Sequence, residues 1–388
     1  MKILLTEREQ SHLDLLPLTY TRSIGDLRIG ILTIAEKWGK YLEGTVEHRT
    51  TNQLQELYTL TGDHDLFVDA SILPDENLVS AILSLDNGQA LYYEDQLIAT
   101  KENESHSDCK KIIYTNEITK VNYSWDLFRL NGQEIRKDFE LITASKRSEE
   151  LADAHTICYG KEIFIENGAK IKAAVLNAEN GPIYLGKNSE VQEGSVIRGP
   201  FSLGESSVVK MGAKIREGTT IGPHSKVGGE LSNSILFGFS NKGHDGFLGN
   251  SVIGEWCNLG ADTNNSNLKN NYAEIKMWNY TSDRFIKTGL QFCGLIMGDH
   301  SKCGINTMFN TGTTVGVSAN IFGEGFPRNI IPSFAWGGSS GYSTYLPKKA
   351  FETAQLMMKR KGKILSETEE KVLLDIFDQT AKYRSWEK

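Results

Sequence analysis

Aliphatic side chains recur at every sixth residue over a long stretch of the chain. A helix repeats every 3.6 residues and a strand every two, so neither alone gives this period. A short strand followed by a turn does, and three such units form one triangular coil with the aliphatic side chains inside. The period therefore predicts a parallel β-helix of hexapeptide repeats, carried by Leu185, Val191, Ile197, Leu203, Val209, Ile215, Ile221 and Val227.

Two further residue types accompany this period. A residue that tolerates a left-handed turn follows several aliphatic positions: Asn188, Gly194, Gly212 and Gly218. A small residue, which lets the wall close, precedes most of them, with Phe201 as the large exception: Ser189, Ser195, Ser207, Ala213, Thr219 and Ser225. A β-sandwich with glycine-rich turns is the alternative, but its strands do not keep a six-residue period.

The period continues beyond this run. An earlier pair, Ile165 and Ile171, is out of phase, which an insertion near 173–183 would explain. We predict one solenoid over 160–325, with a loop at about 264–288, within a domain of residues 156–340. The later inward positions are predicted to be Phe247, Ile253, Leu259, Met297, Cys303, Phe309, Val315 and Ile321.

The segments before and after the predicted solenoid do not have the six-residue period. Residues 1–155 mix strand and helix patterns, which predicts an α/β domain, with a helix over 27–38 and a hairpin over 90–99. Residues 341–388 are predicted to be helical, and Ser366 with Glu369 forms the capping box of the last helix.

Composition excludes several classes of protein. A net charge of −7 argues against a broad nucleic-acid surface. No apolar run approaches the roughly 18 residues of a membrane span, and an acidic residue at Glu7 comes too early for a signal peptide. Five cysteines without a C-x-x-C pair favour neither a disulfide framework nor a zinc knuckle. We therefore expect a cytoplasmic protein with neither nucleic-acid nor membrane partners.

The hexad pattern breaks at K-G-H-D-G-F-L-G-N (242–250), which is followed by N-L-G-A-D-T (258–263) and Asn267. These residues resemble the acetyltransferase half of the bifunctional family that combines N-acetylglucosamine-1-phosphate uridylyltransferase with glucosamine-1-phosphate N-acetyltransferase. That family carries K-x-G-H-x-x-Y-L-G-D and then N-I-G-A-G-T-x-x-x-N. The spacing is the same from the glycine before the histidine to the last asparagine, whereas Lys242 is one residue closer to the histidine than the family lysine. The resemblance implies a left-handed β-helix, a homotrimer, and acetyl-CoA as co-substrate.

The resemblance also implies residue roles. His244 matches the general base, because an imidazole can accept the proton of an amine that attacks acetyl-CoA. Phe247, Ser232 and Leu268 replace a tyrosine, a lysine and a tyrosine of the family, which weakens the phosphate site and leaves the acceptor sugar open. The implied substrate-binding residues are Lys210, Glu230, Lys242, Asn258 and Asn267, and those implied to line the coenzyme site are Ala261, Asn306 and Thr307.

The amino-terminal segment lacks the G-x-G-T-R loop and the P-K pair that cradle phosphates in well-known sugar-phosphate nucleotidyltransferases. Its blocks at 15–22, 25–31 and 36–38 instead resemble a divergent branch of sugar nucleotidyltransferases with the same two-part build. The phosphate-binding candidates are Arg22, Arg28 and Lys37, and the Mg²⁺-binding candidates are Asp63, Asp65 and Asp69. Surface ion pairs around a degenerate fold are the alternative interpretation.

Three functions stay open from the sequence. The first is an enzyme of sugar-nucleotide synthesis that acetylates an amino-sugar phosphate in the β-helix and transfers a nucleotide to a sugar-1-phosphate in the amino-terminal domain. The second is a nucleotidyltransferase that uses UTP or dTTP and whose solenoid serves assembly or regulation. The third is a non-catalytic protein that binds sugar nucleotides.

Overall fold

The amino-terminal region is built on a mixed β-sheet. The structure is a computed structural model that describes residues 1–101 and 108–387. The first strand lies between two parallel neighbours, and the next strand in the sheet runs antiparallel. The α/β prediction is thus confirmed, with the strands in the spatial order Thr45–Arg49, Lys2–Thr6, Leu66–Asp69, Gln96–Lys101, Gln89–Tyr93 and Lys110–Ile113.

The described part of the amino-terminal region contains four α-helices, and one sequence prediction about this region is wrong. Residues 27–38 do not form one helix, because the strands Arg28–Ile29 and Leu32–Thr33 pair as a hairpin around Gly30, which has a φ of +77°. The helix begins only after Thr33, whose side chain accepts a hydrogen bond from the Glu36 amide in a capping box. The helices are α1 (Glu9–Asp14), α2 (Ile34–Tyr41), α3 (Glu76–Leu83) and α4 (Asp126–Thr143), and a second small sheet pairs Ile72–Leu73 with Thr119–Lys120.

Three parallel sheets form the faces of a left-handed β-helix, as the resemblance implied. Face 1 contains Ile157–Tyr159, Val175–Asn177, Val196–Arg198, Lys214–Ile215, Glu230–Ser232 and Phe247–Gly249. Face 2 contains Ile163–Ile165, Ile183–Leu185, Phe201–Leu203, Thr219–Ile221, Ile235–Gly238, Val252–Glu255, Leu295–Met297, Thr313–Val315 and Ile330–Ile331. Face 3 contains Lys170–Ile171, Glu190–Val191, Val208–Val209, Lys226–Val227, Asn241–Lys242, Asn258–Leu259, Lys302–Cys303, Asn320–Ile321 and Ala335–Gly338, with Gly341–Thr344 antiparallel at its end.

The predicted inward positions from Leu185 to Val227 are all buried, with at most 1% of each residue exposed. The predicted left-handed residues Asn188, Gly194, Gly212 and Gly218 all have positive φ. Phe247 was predicted to point inward, but it is half-buried and Leu248 takes the inward position. The predicted loop near 264–288 holds a pair of strands, Asn264–Asn265 with Met308–Phe309, and a hairpin of Lys276–Asn279 with Arg284–Lys287.

The amino-terminal region packs on face 2 of the β-helix. Asn131 of α4 donates from Nδ2 to the Gly218 carbonyl at 2.7 Å and to Thr220 Oγ1 at 3.0 Å. Outward residues of face 2, such as Phe237 and Val252, belong to the same apolar core as the amino-terminal sheet. The two regions therefore share a core, and the predicted boundaries at 155 and 340 stay predictions.

Two helices, α5 (Pro347–Lys359) and α6 (Glu367–Gln379), follow the solenoid. Their apolar sides pack against Trp256, Val317 and Phe334, which lie where face 2 turns into face 3. No helix in the described part of the chain is long and apolar enough to cross a bilayer. The homotrimer stays a prediction.

The capping box of α6 gives a test of this carboxy-terminal packing. Ser366 Oγ accepts from the Glu369 amide at 3.2 Å, and the Ser366 amide donates to Glu369 Oε2 at 2.7 Å. We expect Ser366→Ala to lower the free energy of unfolding by about 1 kcal/mol, measured by urea denaturation. Ser366→Asp keeps the cap and should stay near the wild-type value, and equal losses in both variants would contradict the role of the cap.

Candidate functional site

A basic groove of about 880 Å³ runs along face 3 beneath α5. Its floor is a row of outward side chains from successive strands, because Asn241 pairs in register with both Lys226 and Asn258, and Asn258 pairs with Lys302. This row exists because alternate residues of a strand point to opposite sides, so the aliphatic partners face the interior. The floor therefore presents the Lys226 ammonium and two amides to the groove, while the Lys302 ammonium donates to the His300 carbonyl at 2.7 Å, and burial lowers its pKa to about 8.

The walls of the groove come from two other parts of the chain. One wall is the corner between face 3 and face 1, where Lys210, His244 and Ala261 lie. The other wall is the end of α5 and the turn after it, which add Arg360 and Lys361. No carboxylate belongs to the described residues that line the groove. The groove is therefore suited to an anionic ligand.

His244 lies exposed in the turn between Lys242 and Phe247. Its ring has no hydrogen-bond or ion-pair partner among the described residues, and it borders the groove. Both ring nitrogens are thus free to meet a ligand, as a general base requires.

Lys242 supports the His244 turn from inside the coil. It was predicted to bind substrate, but it is 1% exposed and occupies an inward position next to Val227. Its ammonium donates to the carbonyls of Gly228, His244 and Asp245 at 3.3, 2.8 and 3.0 Å. Burial lowers its pKa to about 8, while Asp245 acts in the opposite direction. Lys242 therefore fixes the turn that presents His244 and does not face the groove.

The other sequence-predicted residues divide into two groups. Lys210, Asn258 and Ala261 line the groove with His244. Asn306, Thr307, Asn267 and Glu230 do not, although the Asn306 amide donates to the Ala261 carbonyl at 2.8 Å.

The contacts of the second group explain their positions. Thr307 is buried, and its hydroxyl donates to the Gly304 carbonyl at 2.9 Å. Asn267 donates from Nδ2 to Asn250 Oδ1 at 2.8 Å. Glu230 lies one coil before the His244 turn, in register with Phe247 and 4.0 Å from the Arg216 guanidinium.

A second candidate site lies at the carboxyl ends of the parallel strands in the amino-terminal sheet. A cavity of about 570 Å³ opens there, beside Glu7, His12 and Thr50, and α6 closes one side of it with Asp375 and Gln379. Crevices at the carboxyl ends of parallel strands are common ligand sites in α/β sheets.

The three basic residues predicted to meet phosphates in this region are engaged elsewhere. Lys37 is 1% exposed and forms ion pairs with Glu134, at 2.9 Å, and with Asp138. Arg22 is buried in contact with Asp299 of the solenoid. Each of these side chains joins two parts of the fold, and none lines the cavity at the carboxyl ends of the strands, so their role in phosphate binding stays a prediction.

The electrostatics and contacts of the two arginines agree with this structural role. Burial opposes the charge of Arg22, but Asp299 and Glu255 raise its pKa well above the usual value. Arg28 donates to the carbonyls of Phe237 and Ile31 at 3.1 and 2.6 Å. Both arginines therefore hold the amino-terminal region on the solenoid.

The three aspartates predicted to bind Mg²⁺ do not form one site. Asp65 precedes the strand Leu66–Asp69 and Asp69 ends it, so about 13 Å of extended chain separates them. Asp63 and Asp65 are exposed at the start, and only Asp69 lies at the carboxyl end. The described residues contain no group of three or more His, Cys, Asp or Glu side chains placed to hold a metal.

Two basic residues that the sequence analysis missed lie beside Asp69. Arg8 Nε is 3.0 Å from Asp69 Oδ2. Lys120 donates to Gln96 Oε1 at 2.9 Å, and Gln96 donates to Asp69 at 3.0 Å. Burial and the nearby Arg8 lower the pKa of Lys120. The only local signal for Arg8 was its place two residues after the first strand, and Lys120 comes close to Asp69 from a distant part of the chain. Arg8, Asp69 and Lys120 lie outside the lining of the 570 Å³ cavity.

Comparisons with known proteins give a family match for the amino-terminal region and relatives that carry two activities. Residues 3–147 match the family model described as sugar nucleotidyl transferase. A bifunctional sugar-1-phosphate nucleotidylyltransferase/acetyltransferase of Sulfurisphaera tokodaii is 33% identical over 160 residues, which cover 41% of this chain and 37% of the relative. The bifunctional protein GlmU of Methanocaldococcus jannaschii is 36% identical over 87 residues, or 22% of this chain and 21% of the relative. The chain thus matches well under half of the length of these relatives.

Among solved structures, the polySia-specific acetyltransferase NeuO is 14% identical and covers 54% of this chain, with 95% of its own length aligned and a TM-score of 0.30. The UDP-N-acetylglucosamine acyltransferase of Arabidopsis is 16% identical and covers 60% of this chain, with 92% of its own length aligned and a TM-score of 0.25. Residues 3–147 match the sugar nucleotidyl transferase family model, and part of the chain is similar to a bifunctional sugar-1-phosphate nucleotidylyltransferase/acetyltransferase.

Proposed function

We propose that this protein is a bifunctional enzyme of sugar-nucleotide synthesis. Its β-helix transfers an acetyl group from acetyl-CoA to an amino-sugar phosphate, and its amino-terminal region transfers a nucleotide to a sugar-1-phosphate. The observation that carries the first activity is the His244 ring, which has no partner in the described part of the chain and lies at the edge of a basic groove whose described lining holds no carboxylate. The relative named for both activities supports the combination.

The acetyl transfer follows from the chemistry of His244. A neutral amine attacks the thioester carbonyl, a new C–N bond forms, and the imidazole accepts the proton that the amine nitrogen loses. The C–S bond then breaks, and the protonated imidazole returns that proton to the departing thiolate. Lys242 holds the two carbonyls of the turn, so the ring is presented from a fixed backbone. Atoms and charge balance without a covalent enzyme intermediate.

The positive charge of the groove is the reason to assign the acetyl donor to it. Coenzyme A carries a 3′-phosphate and a diphosphate, and the groove has five lysine and arginine side chains: Lys210, Lys226, Lys302, Arg360 and Lys361. Asn258 lies on the floor between Lys226 and Lys302 by strand register, next to the wall that holds His244. Its amide can donate to the thioester carbonyl or accept from a sugar hydroxyl.

The nucleotidyl transfer is assigned to the carboxyl ends of the amino-terminal strands. Arg8 and Lys120 would meet the nucleotide phosphates there. Asp69 fits as a Mg²⁺ ligand, because this ion is usually bound by one or two carboxylates together with substrate phosphates. Bound Mg²⁺ would neutralise charge on the phosphates, and Arg8 would release Asp69 to reach it. Asp63 and Asp65 have no part in this site.

Two assays on the same protein test the proposal against its alternatives. Thiol release from acetyl-CoA with an amino-sugar phosphate reports acetyl transfer, and pyrophosphate release from UTP or dTTP with a sugar-1-phosphate reports nucleotidyl transfer. Activity in both assays supports the proposal. Pyrophosphate release alone favours a nucleotidyltransferase whose solenoid serves assembly or regulation, and ligand binding without turnover favours a non-catalytic protein.

A further inference from the structure

A third cavity, of about 410 Å³, lies where the amino-terminal region, the solenoid and α6 meet. Asp26 lines it from the amino-terminal region, His300 from the solenoid, and Ser366 from the start of α6. The cavity shares Trp256 with the lining of the groove and Val372 with that of the 570 Å³ cavity. Ligand sites often lie at the junction of separate parts of a fold and have a volume in this range. This cavity is therefore a candidate site distinct from the two described above.

The charge of this third cavity is strongly negative. Arg22 is the one lysine or arginine in its described lining, against four acidic side chains: Asp26, Glu255, Asp299 and Glu369. Arg22 forms a direct ion pair with Asp299. One guanidinium cannot balance four carboxylates, so the cavity favours a cationic ligand over a phosphate.

Glu255 has the carboxylate that is best placed to receive this cation. Its side chain is 33% exposed, and its Oε2 atom lies 3.6 Å from Arg22 Nη2, beyond hydrogen-bond distance. No described residue donates a hydrogen bond to its side-chain oxygens. Burial raises its pKa, Arg22 opposes the rise, and the carboxylates of Asp299 and Asp26 add to it. A bound ammonium group relieves this repulsion and gives Glu255 the donor that it lacks.

Two buried polar atoms at the same cavity lack a partner. Arg22 Nη1 and His300 Nδ1 have no hydrogen bond within the described part of the chain, although both side chains line the cavity. Burial lowers the pKa of His300 to about 4, so its ring is neutral near pH 7 and Nδ1 can donate or accept. Both atoms lie just beneath the wall, and a small turn of the side chain, common when a ligand binds, brings them to it. A hydroxyl group suits both atoms, because it accepts from a guanidinium and also pairs with an imidazole.

We propose that the third cavity binds a small hydroxylated amine of the amino-sugar class that carries no phosphate. The ammonium group lies against Glu255, and hydroxyl groups pair with Arg22 and His300. The C–H face of the ring contacts the apolar part of the wall, formed by Leu57, Leu365 and Leu373. The proposal does not depend on the activity of the groove, where the charge has the opposite sign and the expected ligands carry phosphates.

Calorimetric titration of the full chain with three sugars tests the class of ligand. Glucosamine should bind at neutral pH, where most of its amine is protonated. N-acetylglucosamine lacks the charge, and glucosamine-6-phosphate adds an anion, so each should bind at least about tenfold more weakly. Equal binding of glucosamine and N-acetylglucosamine overturns the role of the ammonium group. Tighter binding of the phosphate, or no binding of glucosamine, overturns the proposed class.

A pair of variants tests the location. Glu255→Gln keeps the size of the side chain and removes its charge, so glucosamine should bind about 10–100-fold more weakly. Glu193→Gln makes the same change at an exposed corner of the solenoid outside the cavity and should bind glucosamine like the wild type. If Glu255→Gln does not fold, Asp26→Asn gives the same test, because its side-chain oxygen can still accept from the Tyr58 hydroxyl. Unchanged binding of glucosamine in the folded cavity variant, or an equal loss in Glu193→Gln, overturns the site.

Discussion

Replacing His244 by alanine should lower the rate of acetyl transfer by about 10²–10⁴-fold at neutral pH, the usual contribution of a positioned proton acceptor. The exposed ring has no partner among the described residues, so its loss leaves no buried group unpaired. The melting temperature should therefore stay close to that of the wild type. Thiol release from acetyl-CoA measures the effect.

Three comparisons make this result specific. His155→Ala removes an exposed histidine from an early coil and should keep full activity. Coenzyme A should bind His244→Ala normally, because the imidazole meets the acceptor amine. Raising the pH should restore part of the rate, since more of the amine is then neutral without a base. Full activity of His244→Ala at neutral pH would remove the catalytic role.

Nucleotidyl transfer should be unaffected by His244→Ala. The two candidate sites have no lining residue in common, because the groove lies on face 3 and the other cavity lies at the amino-terminal sheet. Loss of both activities together would indicate that the variant disturbs the shared core of the two regions, and not proton transfer alone.

The hexad period predicts the inward residues correctly as long as every corner has the same length. This holds from Leu185 to Val227, and the six-residue spacing returns from Ile253 to Leu259 and from Met297 to Ile321. The phase changes after Val227, because Leu231 follows it after only four residues. The corner there is the pair Gly228 and Gly229, where Gly229 has a φ of +75° and a Cβ on Gly228 would lie 2.8 Å from the Gly243 carbonyl oxygen. A second shortened corner explains why Leu248 points inward and Phe247 does not, because Ile253 follows Leu248 after five residues and not six.

The sequence of residues 27–38 also contains a helix-start signal, which the spacing of its apolar residues obscures. Thr33 and Glu36 form a capping box, which marks the true start of α2 inside the segment predicted to be one helix. The hairpin before it depends on Gly30, where a Cβ would lie 2.4 Å from Asp138 Oδ2 of α4. That contact is tertiary and cannot be found from the spacing of residues 27–38.

Charged candidates were the least predictable residues, because their partners are distant in sequence. Lys37 meets Glu134 and Asp138 on α4, and Arg22 meets Asp299 on the solenoid. The motif correctly placed His244, Asn258 and other residues at one groove, whereas the cations of α5 reach it only through folding of the carboxy-terminal segment. The spacing of a motif identifies residues that lie near one turn. Ion pairs between segments that are distant in sequence can be found only from the structure.

The β-helix itself gives the largest expected change in stability. Ile215 is 1% exposed, and its neighbours in register are Ile197 and Leu231, both fully buried. Ile215→Asp removes this packing and places a carboxyl group where no partner exists. We expect the free energy of unfolding to fall by at least about 4 kcal/mol, the combined cost of a lost aliphatic side chain and an unpaired buried polar group.

Lys214→Asp is the matched control, because Lys214 precedes Ile215 in the same strand and its side chain is exposed. It should change the free energy of unfolding by no more than about 0.5 kcal/mol. If Ile215→Asp does not fold, Ile215→Val and Ile215→Ala give a graded series, with expected losses of about 0.5–1.5 and 2–5 kcal/mol. Since each coil of a solenoid contacts mainly its neighbours, the loss should appear first in the coils around residue 215, as faster amide exchange there than near residue 315. Equal melting temperatures for Ile215→Asp and Lys214→Asp would contradict the inward position of Ile215 and with it the register of face 1.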